Sequence, residues 1–181
     1  FAVIILVGGF MLASDFSNNQ TILQKWKSLR STLTKTLSDH DHLTSVVQFW
    51  ATCPIQKRIL DWDRPDLWPD PWQLIHENRF DECAISLGMF YTLLLSADGR
   101  WNTERLKLML LKNTEHQFQG IVLQVDSEYI LNYEYNTLYK KSSLGTGTMV
   151  QRQYRYENNR FSYPNLHVIS AYQDQNLTQV N

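Results

Sequence analysis

Apolar residues recur at helical spacing through the first half of the chain and alternate with polar ones through the second. Ile22, Trp26, Leu29, Leu33 and Leu37 fall three or four positions apart, one stripe of an α-helix, with Lys25, Lys27 and Arg30 off it. Asn18 or Asn19 can cap its start, and the pattern ends near Ser38. A short helix from Leu43 to Trp50 turns Val46, Val47 and Trp50 inward, and Trp72 to Asn78 suits one or two helical turns. Phe80 to Ser96 is apolar almost all round, the pattern of a helix covered on every side. After Ala97-Asp98-Gly99 the period drops to two. Strands are expected around Leu106 to Leu110, Gly120 to Val125, Tyr129 to Tyr135, Val150 to Tyr156 and Leu166 to Tyr172. Their short connections predict an antiparallel sheet, with Leu144 to Thr148 as a hairpin connection. The expected fold is α+β, a helical N-terminal half with one buried central helix and an antiparallel sheet in the C-terminal half.

Two segments break the pattern. Asp61 to Trp72 reads DWDRPDLWPDPW, with three Trp and three Pro in twelve residues. Proline fixes φ and bars the preceding residue from helix, so a stiff irregular loop is expected. Phe1 to Ala13 is apolar and ends its β-branched run at Gly8-Gly9, which reads as a buried strand closed by a turn or as a truncated signal or anchor. It lacks the basic start of a signal peptide and falls short of the roughly 20 apolar residues of a membrane span, so membrane insertion is not expected. The length of 181 residues suits a single domain over 1–181, with a polar tail at 173–181.

Aromatic residues make up 13% of the chain, with six Trp and nine Tyr. Such a density serves a thick aromatic core or an aromatic contact surface. The formal net charge of −1 excludes a strong sequence-independent grip on nucleic acid, which needs a basic excess. Cys53 and Cys83 form neither a zinc pattern nor a disulfide framework, so two free thiols are expected.

Asp39-His40-Asp41-His42 alternates carboxylate and imidazole, but no second segment completes a ligand set. It reads as a polar turn with Asp41 as a cap; no metal and no cofactor are expected. Cys83, His116 and Asn132 are a different matter. Cys83 opens the central helix, His116 precedes a strand and Asn132 lies on the next one. A thiol nucleophile needs a base, and the base needs an orienting partner, in that order of parts. This arrangement resembles the transglutaminase-like and papain-like superfamily, helped by His116-Gln117-Phe118 and Tyr129-Ile130-Leu131-Asn132. The resemblance implies a cysteine hydrolase or amide-transferring enzyme with those three residues as its site. Asn132 stands where transglutaminases carry Asp, and Asp81-Glu82 beside the cysteine would raise its pKa.

A second resemblance runs through Trp62-Asp63-Arg64-Pro65, Trp68 to Ile75, Ile85 to Leu93 and Tyr129 to Glu134. These stretches are similar to a poorly characterised family from contractile-tailed phages of marine bacteria, cyanobacterial ones in particular. That implies a virion structural or assembly protein of neck, tail, baseplate or head, made in the host cytoplasm. Its contacts, through Trp62, Trp68, Trp72, Tyr133 and Tyr135, would be with other virion proteins or copies of itself.

Overall fold

The structure, a computed structural model, describes residues 21–56 and 60–163. The apolar segment 1–13, the strand expected over 166–172 and the polar tail lie outside the described residues. Helix α1 covers residues 21–32 and buries Trp26. It ends before the apolar stripe does. Ser31 and Thr32 turn their hydroxyls back onto the carbonyls of Ser28 and Leu29, competing with the helical backbone bonds. Ser38 then caps the next helix, α2 (Asp39–Ala51). The Ser38 hydroxyl accepts from the Asp41 N–H, and the Asp41 carboxylate accepts the Ser38 N–H, a reciprocal capping box. The Asp39-His42 segment is therefore the first turn of a helix, not a turn between helices, and its cap is Ser38 rather than Asp41. His42 is fully buried. Trp101 Nε1 donates to its Nδ1 at 3.1 Å, which leaves the ring proton on Nε2 to donate to the Thr34 carbonyl at 2.9 Å. Among the described residues no three His, Cys, Asp or Glu side chains gather to hold a metal ion.

The Trp/Pro segment contains a 3₁₀ turn (Pro65–Leu67) and runs into α3 (Pro71–Glu77), where Pro71 sits at the first helical position and Asp70 caps it. Helix α4 (Glu82–Leu94) is buried from Cys83 to Leu93, as its all-round apolar pattern predicts. One hydroxyl joins the three helices. Thr92 Oγ1 accepts from Trp26 Nε1 of α1 at 2.9 Å and from Trp50 Nε1 of α2 at 3.0 Å, and donates to the Gly88 carbonyl at 2.6 Å. Gly88 lets the Trp50 ring lie directly on α4; a Cβ there would stand 2.2 Å from the indole.

The helices pack on a sheet of five antiparallel strands: β1 (Leu106–Asn113), β2 (Phe118–Val125), β3 (Tyr129–Leu131), β4 (Tyr139–Lys140) and β5 (Thr148–Gln153). Their order is β4-β3-β2-β1-β5. A separate hairpin, β6 (Arg155–Glu157) and β7 (Arg160–Ser162), turns at Asn158-Asn159, both left-handed as a tight hairpin requires. Leu144 to Thr148 does not link neighbouring strands, because β4 and β5 lie at opposite edges of the sheet. The helix-facing side of the sheet, with Leu108, Leu110, Ile121 and Leu123, closes the main core. Met109, Leu111, Val122, Ile130 and Leu144 form a smaller cluster on the far face. No helix among the described residues is long and apolar enough to cross a membrane.

The start of α2 is pinned to the sheet by charge. Asp39 accepts from Arg100 Nη1 at 2.7 Å and from Arg105 Nη2 at 2.6 Å, and Arg105 also binds Asp126. Burial opposes the Asp39 charge, but the hydrogen bonds and charges of Arg105 and Arg100 outweigh it and hold the carboxyl below its usual range. A depressed acid contributes stability that is complete above the unfolded value of about 3.9 and fades as pH falls through the folded one. Asp39→Asn is expected to lower the urea midpoint at pH 7 and to flatten the loss of stability below pH 4, read by denaturation across pH. Thr92→Val strands two buried indole N–H groups. It should cost about 2–4 kcal/mol in the same assay at neutral pH.

Candidate functional site

Where α4 begins, the helix, the sheet and the end of α2 enclose a groove of about 360 Å³. Glu82, Ile85 and Met89 face it from α4, since positions three and four apart share one side of a helix. Gln119 and Ile121 face it from alternate positions of β2, and Val47 and Trp50 close it from α2. Residues Asn132 to Asn136, which follow β3, make the last wall. Tyr135 stands 76% exposed and donates its hydroxyl to the Ala51 carbonyl at 2.9 Å, strapping that wall to the end of α2. The floor is apolar and the lip carries Glu82, Gln119 and Asn132.

Asn132 fixes the geometry. Its backbone is left-handed (φ 62°), a conformation asparagine adopts more readily than most residues. That ends β3 at Leu131, short of the strand to Tyr135 that the alternation predicts. Its amide then donates to the Glu82 carbonyl at 2.6 Å and to Ser86 Oγ at 2.7 Å. Ser86 in turn donates to the Ile121 carbonyl at 2.6 Å. Two side chains thus tie the first turn of α4 to both β2 and the residue after β3.

The residues expected to form a triad are not brought together. Asn132 meets α4 on the side of positions 82 and 86; position 83 is turned about 100° away. The Cys83 thiol is 5% exposed and belongs to the main core, near enough to Tyr154 to influence its phenol. Burial first, and the Asp81 charge second, push its pKa well up. Asp81 is also the helix cap, accepting from Ala84 N–H at 2.6 Å and Leu60 N–H at 2.8 Å. His116 lies exposed in the β1–β2 turn, with Nδ1 2.5 Å from the Tyr133 hydroxyl and 3.4 Å from Asn113 Nδ2. Tyr133 packs on the far-face cluster, whereas Cys83 lies in the main core. The other thiol, Cys53, is in the groove wall, where burial pushes its pKa up to about 11. No imidazole faces the groove among the described residues.

The aromatic contact residues divide. Trp68 is buried, its Nε1 donating to the Asp61 carbonyl at 2.9 Å, and Trp62 packs partly buried against the core. Trp72 remains 51% exposed, edge-on to Trp26. Tyr133 is half-buried, and Tyr135 is the groove's strap. Sequence reasoning missed Glu82 and Gln119. The i, i+4 pair Glu82 and Ser86, flanked by Ile85 and Met89, was the available signal for the helix face.

No family model matches the chain, and no curated protein matches it. Solved structures of LapG from Legionella pneumophila share its fold, which is transglutaminase-like. The calcium-bound form superposes with TM-score 0.59 at 14% identity, over 79% of this chain and 83% of that one. The EGTA-treated form gives 0.62 at 16% identity, over 82% and 78%. A further LapG structure gives 0.62 at 15% identity, over 87% and 85%. This overturns the reading as a phage virion structural or assembly protein: the solved structures that share the fold are of LapG, a transglutaminase-like cysteine protease.

The burial of both thiols is directly measurable. At pH 8 a thiol of pKa 11 is ionised in about one molecule in a thousand, and the thiolate is the reactive form. Cys53 and Cys83 should label with a disulfide reagent about a hundredfold more slowly in the native protein than in urea. A single fast-reacting native thiol would contradict this arrangement.

Proposed function

We propose that this chain is a transglutaminase-like domain that receives an extended polypeptide in the groove at the start of α4. The observation that carries the reading is the make-up of that groove. An apolar floor of Trp50, Ile85, Met89 and Ile121 suits one apolar side chain, and polar groups at its lip suit the amides on either side. The shared fold with LapG, a transglutaminase-like cysteine protease, supports a polypeptide as the ligand. The chemistry at the lip differs from that of a thiol enzyme. Glu82 occupies the helix face that Asn132 touches, Gln119 faces it from β2, and neither is a nucleophile with a base beside it.

The fold also favours a second reading, a cysteine hydrolase or amide-transferring enzyme using Cys83, His116 and Asn132. That chemistry requires the Cys83 thiol to leave the core and meet the exposed imidazole of His116.

One experiment separates the two. Peptides selected from a random displayed library are synthesised with a fluorescent label and titrated by anisotropy. Saturable binding that weakens at least about tenfold in Glu82→Arg, and is unchanged in Cys83→Ala, supports the groove reading. Failure to select any binding peptide would refute it. Peptide cleavage or ammonia release that disappears in Cys83→Ala would establish the enzyme instead.

A further inference from the structure

We propose that a second pocket, on the far face of the sheet, binds an alkylated ammonium group. Its volume is about 310 Å³ and it is lined by Phe118, Tyr133 and Tyr139, with His116 and Glu134 at its rim. Phe118 and Tyr133 are 4.5 Å apart at 52°, and Tyr133 and Tyr139 are 4.8 Å apart at 54°. The three rings that line the pocket are therefore mutually tilted rather than stacked flat. Each ring face carries negative quadrupole potential, and Glu134 adds a full negative charge. A cation with an apolar shell satisfies both parts of such a lining. A bare ammonium is strongly hydrated and loses more on entering it, so methylated nitrogen is favoured.

The pocket is held in shape before any ligand arrives. The Tyr133 hydroxyl meets His116 Nδ1, and the Tyr139 hydroxyl donates to the Ser143 carbonyl at 3.2 Å. All three rings rest on the apolar cluster of Met109, Leu111, Val122, Ile130 and Leu144. Gly120 helps seat the first ring, since a Cβ there would come within 3.2 Å of Phe118 Cζ. No Lys or Arg among the described residues lines the pocket. Among the described residues, Lys27, Arg30, Arg105 and Arg152 lie over Trp26, Trp72, Trp101 and Tyr163 instead.

Such a group comes either as a small quaternary amine or as an N-methylated side chain on a polypeptide. Phe118, Tyr133 and Glu134 line both this pocket and the groove, so a polypeptide in the groove could reach across; that extension rests on the groove reading, whereas the ammonium site does not.

The test compares choline with 3,3-dimethylbutan-1-ol, which has the same shape without the charge, by calorimetric or NMR titration of the full chain. Choline should bind at least about tenfold more tightly than the alcohol. Tyr133→Leu should abolish the preference, and Glu134→Gln, at an exposed position, should reduce it without a folding defect. Equal binding of the two probes, no saturable choline binding, or binding indifferent to Glu134→Gln would each overturn the proposal. A trimethyl-lysine peptide forms the second arm. If it binds more tightly than choline and loses that advantage in Glu82→Arg, the source is a polypeptide in the groove. If it binds no better than choline, the ammonium site stands and the extension into the groove falls.

Discussion

The architecture hangs on the hydroxyl of Thr92. Two indole N–H groups from different helices converge on it inside the core, and it passes its own proton to the carbonyl of Gly88 one turn earlier. A buried tryptophan is stable only when its N–H finds an acceptor, and here two find the same one. This fixes the rotation of α4 about its axis relative to α1 and α2. Gly88 completes the constraint, because the Trp50 ring reaches Thr92 by lying where a side chain at 88 would be. Once α4 is set in rotation, Glu82, Ser86 and Met89 face the sheet edge and Cys83 does not.

That rotation decides the chemistry available to the fold. The fold shared with LapG is present, and in this chain a groove lies where the central helix meets the sheet. The thiol, however, lies one residue beyond the helix face that looks into the groove. Asn132 spends its amide on the helix end itself, binding the Glu82 carbonyl and Ser86. The lip of the groove is therefore polar and tied to the helix end by two hydrogen bonds.

Much of this was legible along the chain. The all-round apolar run of α4 and the two-residue alternation of β1 and β2 rest on local patterns, and both were readable. The errors came where a single side chain overrode the pattern. Ser38 starts α2 four residues before the apolar stripe shows it, because a capping box needs only Ser38 and Asp41. Asn132 stops β3 although the alternation continues through Tyr133 and Tyr135. The pairing of β5 with β1 is a choice between distant partners, to which spacing is blind. The candidate site is only partly legible for a related reason. Cys83, His116 and Asn132 come in the right order, but order does not say on which side of a helix or sheet each residue falls.

Asn132 and Tyr133 are joined by one peptide bond, and Tyr133 lines the aromatic pocket as well as the groove. The first grips α4 through Glu82 and Ser86; the second is a wall of the aromatic pocket, held by His116. Because β3 ends just before them, no ladder hydrogen bonds clamp that peptide in place. That peptide carries an arm on each side: a displacement of the Tyr133 ring would bear on the residue that anchors the start of α4, and the two pockets meet along the shared residues Phe118, Tyr133 and Glu134.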